Sequence, residues 1–185
     1  DALVADGVDA AVADRSARAA HGDLDRARLL ATDERLALRL AAWAEIPGRL
    51  DGTGATVDEI VAARRADIDS AAEPLETRQQ AEREALEERV ERYGERGAGA
   101  RHLEERHKRQ SRRLRTDEVR MGLAEMAQTY RQVVVGDPPP DLDLTADEAA
   151  AAVDRIWPAV DALVRNPNEE LLLQALLLDL PPARR

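Results

Sequence analysis

The chain has no cysteine and no phenylalanine, and aromatic residues make up 2% of its 185 positions. Without cysteine there are no disulfides, no thiol nucleophile and no Cys-based zinc site, so a metal would have to rely on His, Asp or Glu. Without phenylalanine the core must come from Leu, Val, Ile and a great deal of Ala, a composition that favours close-packed helices over strands. No apolar run is long enough to cross a bilayer, and no early stretch has the charged start and apolar middle of a signal peptide. These absences make a soluble, cytoplasmic protein without a membrane partner the expectation. Lysine is nearly missing too: Lys108 stands alone and every other basic side chain is arginine. The net charge of -10 opposes general nucleic-acid binding, which needs a cationic surplus on the docking face. No Gly-x-x-x-x-Gly-Lys-Ser/Thr phosphate loop is present, and no Ser-His-Asp set or carboxylate pair stands out from the abundant surface charge.

What is present reads as all-α. Helices are expected from about Asp9 to Ala20, from Leu24 to about Ala31 behind an Asp23 cap, and from a Thr32 cap through Leu36, Leu40, Trp43, Ile46 and Leu50. The last of these spaces its apolar residues four and three apart, with Pro47 expected to kink or end it. After the loop at Asp51-Gly52-Thr53-Gly54, the capping-box sequence Thr56-Val57-Asp58-Glu59 predicts a long helical region, broken near its middle by Pro74 and burying Leu86, Val90 and Tyr93. A turn at 94–99 leads to a helix from about Arg101 to Val135 with Val119, Leu123, Met126, Tyr130 and Val133 on one stripe, ended by Gly136-Asp137-Pro138-Pro139-Pro140. Thr145-Ala146-Asp147-Glu148 is a second capping box, and its helix aligns Ala149, Val153, Ile156, Val160 and Leu163 with a bend expected at Pro158. The terminal helix behind Asn166-Pro167-Asn168 is apolar around nearly its whole circumference. At about 100° per residue, Leu171, Leu172 and Leu173 point three ways and Leu176, Leu177 and Leu178 repeat the spread, so one side needs a core and the other a further cover.

Two constellations tempt a chemical reading. His102, Glu105 and His107 carry metal-ligating groups, but the histidines are five apart, about 140° around a helix, and a metal site is not expected. Between Arg101 and Arg115 seven cationic residues outnumber two glutamates, with Arg106, Arg109, Arg112 and Arg113 as candidate DNA contacts. No aromatic residue interleaves with them, and a solvated face partly neutralised by the acidic stretch from Glu73 to Glu91 is the simpler account.

The segment Ala19-Ala20-His21-Gly22-Asp23-Leu24-Asp25-Arg26, the blocks 103–110 and 123–131, and the Asn-x-Asn turn before a Leu-rich helix follow one another in an order that resembles the lid and collar of the bacterial DNA polymerase III clamp-loader delta-prime subunit. The match covers roughly 1–50 and 103–180. It implies a three-helix AAA+ lid-like domain over 1–50 and a helical collar over 51–185, with an AAA+ core preceding both. In active lids an Arg follows the helix-opening Gly by three residues and reaches the nucleotide phosphates. Here that place after Gly22 holds Asp25, with Arg26 one further, so the resemblance implies an inactive nucleotide-sensor remnant and no cofactor in this part of the chain. It also implies no enzymatic activity of its own, as a part of the polymerase holoenzyme. Its partners would be the other subunits of a hetero-pentamer, and indirectly the sliding clamp and primed DNA. A subunit interface is expected on Asn166, Asn168, Leu172, Leu173, Leu176, Leu177 and Leu180, with Leu172 or Leu177 pointing outward. A helical nucleic-acid-binding protein or adaptor using 101–115 is the alternative.

Overall fold

The computed structural model describes residues 2–20, 23–93 and 98–183, apart from the side chains of Arg18, Ala19, Arg26, Tyr93 and Ala98. All regular structure among these residues is helical: α1 (Ala2–Ala5), α2 (Ala10–Ala19), α3 (Leu24–Thr32), α4 (Glu34–Ala44), α5 (Ile46–Arg49), α6 (Gly54–Tyr93), α7 (Ala98–Val134), α8 (Ala146–Ala162), a 3-10 turn (Leu163–Arg165) and α9 (Glu169–Asp179). No described helix is long and apolar enough to cross a membrane. The chain divides into two compact units. One holds the residues up to Gly52, then Gly122–Asp154 and those from Leu180 on; the other holds Thr53–Met121 and Arg155–Asp179.

In the first unit the Asp9 carboxylate opens α2 by accepting from the backbone N–H groups of Ala11 and Val12. The predicted Gly22 stop lies outside the described residues. The cap of α4 is Asp33, which accepts from the Leu36 N–H at 2.9 Å, and not Thr32 as expected. Thr32 instead ends α3, turning its hydroxyl back onto the Arg28 and Leu29 carbonyls, a bond that a Thr in a last helical turn makes readily. Pro47 stops α4 as expected: it sits in the first turn of the short α5, where a missing N–H costs nothing. The Ala44 carbonyl left over at that break accepts from the Thr129 hydroxyl at 3.2 Å. Leu36, Leu40, Trp43, Ile46 and Leu50 are all buried, as are Leu123, Met126, Tyr130 and Val133 from α7. The Trp43 indole lies so close to the α7 backbone that a Cβ on Gly122 would come within 2.1 Å of it. At the end of α7, Gly136 takes a left-handed φ of 82° and the Asp137 N–H reaches the Gln132 carbonyl at 2.9 Å, closing the helix with a Schellman motif. The Thr145–Glu148 box forms in full: Glu148 accepts from the Thr145 N–H at 2.9 Å, and Thr145 accepts from the Glu148 N–H at 3.2 Å.

In the second unit, two sequence expectations are corrected. The cap of α6 is Thr53, whose hydroxyl accepts from the Thr56 N–H at 3.3 Å, so Thr56 lies inside the helix it was expected to open. Pro74 does not break α6, which runs for 40 residues through it. Pro74 and Ser70, whose carbonyl loses its helical donor, are both exposed, so water can serve the freed oxygen. α6 and the part of α7 up to Met121 form an antiparallel hairpin, tied by Gln79 to the His107 carbonyl, Glu82 to Arg106 and His107, and Asp69 to Arg115. Of the expected buried face beyond Pro74, Leu86 and Val90 are half-buried. Val57, Ile60, Val61, Ile68 and Leu75 of α6 make the core with Val119, Ile156, Leu163 and the inward leucines of α9.

Candidate functional site

The terminal helix is where this sequence concentrates its apolar surface, and its rotation about its own axis is set by polar contacts at both ends. Asn166 adopts the left-handed conformation (φ 54°, ψ 58°) that ends the 3-10 turn, a backbone region Asn tolerates better than most residues. Pro167 follows. The Asn168 side chain then accepts from the Leu171 N–H at 3.1 Å and caps α9. The two asparagines of the Asn-x-Asn turn therefore have separate backbone tasks.

In the first turn of α9, Glu169 is clamped by Arg115 of α7, whose guanidinium donates to both carboxylate oxygens at 3.0 and 3.2 Å through Nε and also holds Asp69 of α6. The Glu169 hydrogen bonds, and then those to Asp69, hold the Arg115 guanidinium even more firmly protonated than usual. Glu170 pairs with Arg65 of α6 at 2.5 Å. Further along, the Gln174 amide donates to Asp58 at 2.9 Å, and Asp179 pairs with Arg155 of α8 at 3.1 Å. Acidic residues at the helix start also suit its positive end.

These anchors turn Leu173, Leu176 and Leu177 into the core of the unit. Leu180, outside the helix, is buried in the first unit. Of Leu172 and Leu177, one of which is expected to point outward, Leu172 is half-buried and Leu177 only 2% exposed. The outward stripe is instead Leu171, 63% exposed, Ala175, and Leu178, 57% exposed, at spacings of four and three. Asn166 and Asn168 are exposed beside it. Sequence inspection missed Leu171 and Leu178 because a helix apolar on all sides gives no phase. Glu169 and Glu170, paired with Arg115 and Arg65, mark the side of α9 that faces α7 and α6.

The other candidate residues separate. Gly22 lies outside the described residues, as does the Arg26 side chain. Asp25 is exposed and pairs with Arg28 at 3.6 Å, while Arg28 donates to Asp6 at 2.9 Å. That hydrogen bond to Asp6 leads the causes that raise the Arg28 pKa. Of the four arginines considered for DNA, Arg106 is bound to Glu82 and Arg113 pairs with Asp117 at 3.6 Å. Arg109 and Arg112 are exposed and have no ion-pair partner among the described residues.

His102 is exposed, Glu105 pairs with Arg101 at 3.4 Å, and His107 is buried against the hairpin, so the three do not converge. No group of three or more metal-ligating side chains occurs among the described residues. His107 places Nε2 at 2.8 Å from the Glu82 carboxylate and Nδ1 at 3.5 Å from Arg83, which suits a ring donating through Nε2. Hydrogen bonds from His107, then Arg106, hold the Glu82 carboxyl below its usual range. Among the aromatics, Trp43 is core, whereas Trp157 is 38% exposed. Tyr130 is fully buried with its hydroxyl unpartnered, and burial pushes its pKa up. Such a phenol is a packing residue. The chain gives no significant match to any known family model, to curated proteins or to solved structures.

Proposed function

We propose that the chain is an interaction module, the lid and collar of a delta-prime-like clamp-loader subunit that supports ATP-driven loading of the sliding clamp while its partners hydrolyse the nucleotide. The reading rests on the order of the sequence blocks, with Asp25 at the place where an active lid presents its cation. The observation that carries it is the Leu171–Ala175–Leu178 stripe, exposed on a helix fixed at its first turn by Arg115 and Arg65 and at its end by Arg155. An apolar stripe on a rigid support is the form an assembly surface takes, because little ordering entropy is lost when it is covered. In this role α9 joins neighbouring collars, and the degenerate lid passes on position without sensing phosphate.

The test is co-purification of the chain with the remaining clamp-loader subunits, combined with titration of the isolated chain by a fluorescent ATP analogue. The reading expects a stable hetero-oligomer and no saturable nucleotide binding. Failure to associate with any of those subunits, or micromolar ATP binding that is lost in Arg26→Ala, would contradict it. The nucleic-acid reading draws on Arg109 and Arg112. It is weaker because Arg106 and Arg113 are already engaged by Glu82 and Asp117, which leaves few cations free for phosphate.

A further inference from the structure

The far part of the α6–α7 hairpin carries a groove that the collar reading does not use. It has a volume of about 540 Å³ and a floor of Leu86, Val90, Ala100 and Leu103. Leu86, Val90 and Leu103 stay half-buried, so aliphatic side chains from two facing helices keep part of their surface in water. The walls are acidic on both sides: Glu87 and Glu91 stand on α6 and Glu104 on α7.

Lys108 answers Glu104 at 3.2 Å, and Arg83, which also lines the groove, is engaged by Gln80 at 2.9 Å. Glu87 and Glu91 are exposed and have no cation among the described residues. They also stand one helical turn apart, where like charges repel. The other side of the same seam has the opposite character, lined by Arg89, His102 and Arg106 with Glu82 as the one acid among its described lining residues.

We propose that the acidic groove docks a basic amphipathic helix of another protein. Leucine-type side chains at i, i+3 or i+4 and i+7 would lie on Leu86, Val90 and Leu103, and Lys or Arg on the flanks would meet Glu87, Glu91 and Glu104. This is helix-in-groove recognition, with the apolar floor giving affinity and the charged walls giving direction and selectivity. From Arg83 to Glu91 the groove spans about 12 Å at 1.5 Å per residue, room for about two turns of a partner helix. A second copy of this chain is a poorer occupant, because a two-fold contact of the face with itself sets acidic wall against acidic wall. Nucleic acid carries the wrong sign. The inference stands apart from the collar reading, since it concerns another surface and needs no clamp-loader partner.

The probe is a fluorescein-labelled peptide of about 18 residues with a leucine face and lysine flanks, titrated into the full chain by fluorescence anisotropy at about 50 mM salt. Amide chemical shifts of the full chain locate the site. The expected result is saturable micromolar binding with shifts centred on 83–107. A scrambled peptide of the same composition should bind at least about tenfold more weakly. Glu87→Lys/Glu91→Lys should also weaken binding about tenfold or more, and Val90→Ser should weaken it as well, with circular dichroism unchanged in both. Four results would overturn the proposal: no saturable binding below about 1 mM, equal binding of the scrambled peptide, shifts centred elsewhere, or self-association of the chain that the double lysine variant abolishes.

Discussion

Gly122→Ala sets two physical effects against each other inside one helix. Glycine in a helix interior is a poor helix former, and alanine there would by itself stabilise by about 1 kcal/mol. Packing dictates the reverse. An added Cβ meets Trp43 Cε2 at 2.1 Å, Cδ2 at 2.3 Å and Nε1 at 2.5 Å, against 3.4–4 Å for ordinary contact. The indole would have to retreat by more than about 1 Å, and it is only 2% exposed, with Leu40, Ile46, Leu123 and Met126 also buried in that unit. Overpacking of this kind costs about 1–3 kcal/mol and sometimes more, and a large rigid ring belongs at the upper end.

The net expectation is destabilisation by about 2 kcal/mol, or roughly 1 M in urea midpoint at a slope of about 2 kcal/mol/M. Urea unfolding of a Trp157→Phe background, followed by circular dichroism and by the remaining Trp43 fluorescence, reads it directly. In a Trp43→Leu background the same substitution should become neutral or stabilising by up to about 1 kcal/mol, because the obstacle is gone. A midpoint that is unchanged or raised in the presence of Trp43 would refute the close approach of indole and backbone.

Two further substitutions test the polar interior of the second unit. Arg64 is buried, with one arm on Asp67 at 3.0 Å and with Nε and the other terminal nitrogen unpartnered, so Arg64→Met should be neutral or stabilising by about 1 kcal/mol in urea unfolding. A loss of more than about 2 kcal/mol would mean that the guanidinium is satisfied. The Glu82 carboxyl, held below its usual value of 4.5 first by His107 and then by Arg106, favours the folded state above that value and gives up this contribution as pH falls through the lowered one. The stability gap between the chain and Glu82→Gln should therefore be present at neutral pH and close in acid below about pH 4.5, and a gap that does not change with pH would deny the contact.

Helix positions and two core stripes were legible because their periodicity is local: Leu36 to Leu50 and Val119 to Val133 are spaced by fours and threes and are buried wherever that spacing places them. Caps were less so. Thr32 and Asp33, like Thr53 and Thr56, offer neighbouring oxygens to one helix start, and backbone geometry chooses between them. Pro74 misled because the rule against interior proline assumes that the freed carbonyl has no substitute partner, and at an exposed site water is one.

The outward face of α9 was not legible at all. Its phase depends on Arg115, Arg65, Asp58 and Arg155, of which Arg65 and Asp58 lie more than a hundred residues from their partners. The approach of Trp43 to Gly122 is likewise a contact between distant segments, visible in sequence only as a glycine inside a helical pattern.

The proposed role in subunit assembly rests on the Leu171–Leu178 stripe. Native mass spectrometry of bacterial clamp-loader subunits, mixed with the wild-type chain or with Leu171→Glu/Leu178→Glu, measures the contribution that the proposed role assigns to it. Both residues are exposed, so the double variant should keep its helical circular dichroism. Covering two leucines contributes on the order of 2 kcal/mol or more, so the variant should associate at least about tenfold more weakly. A folded double variant that assembles as tightly as the wild type would contradict the assignment of this face to subunit contact.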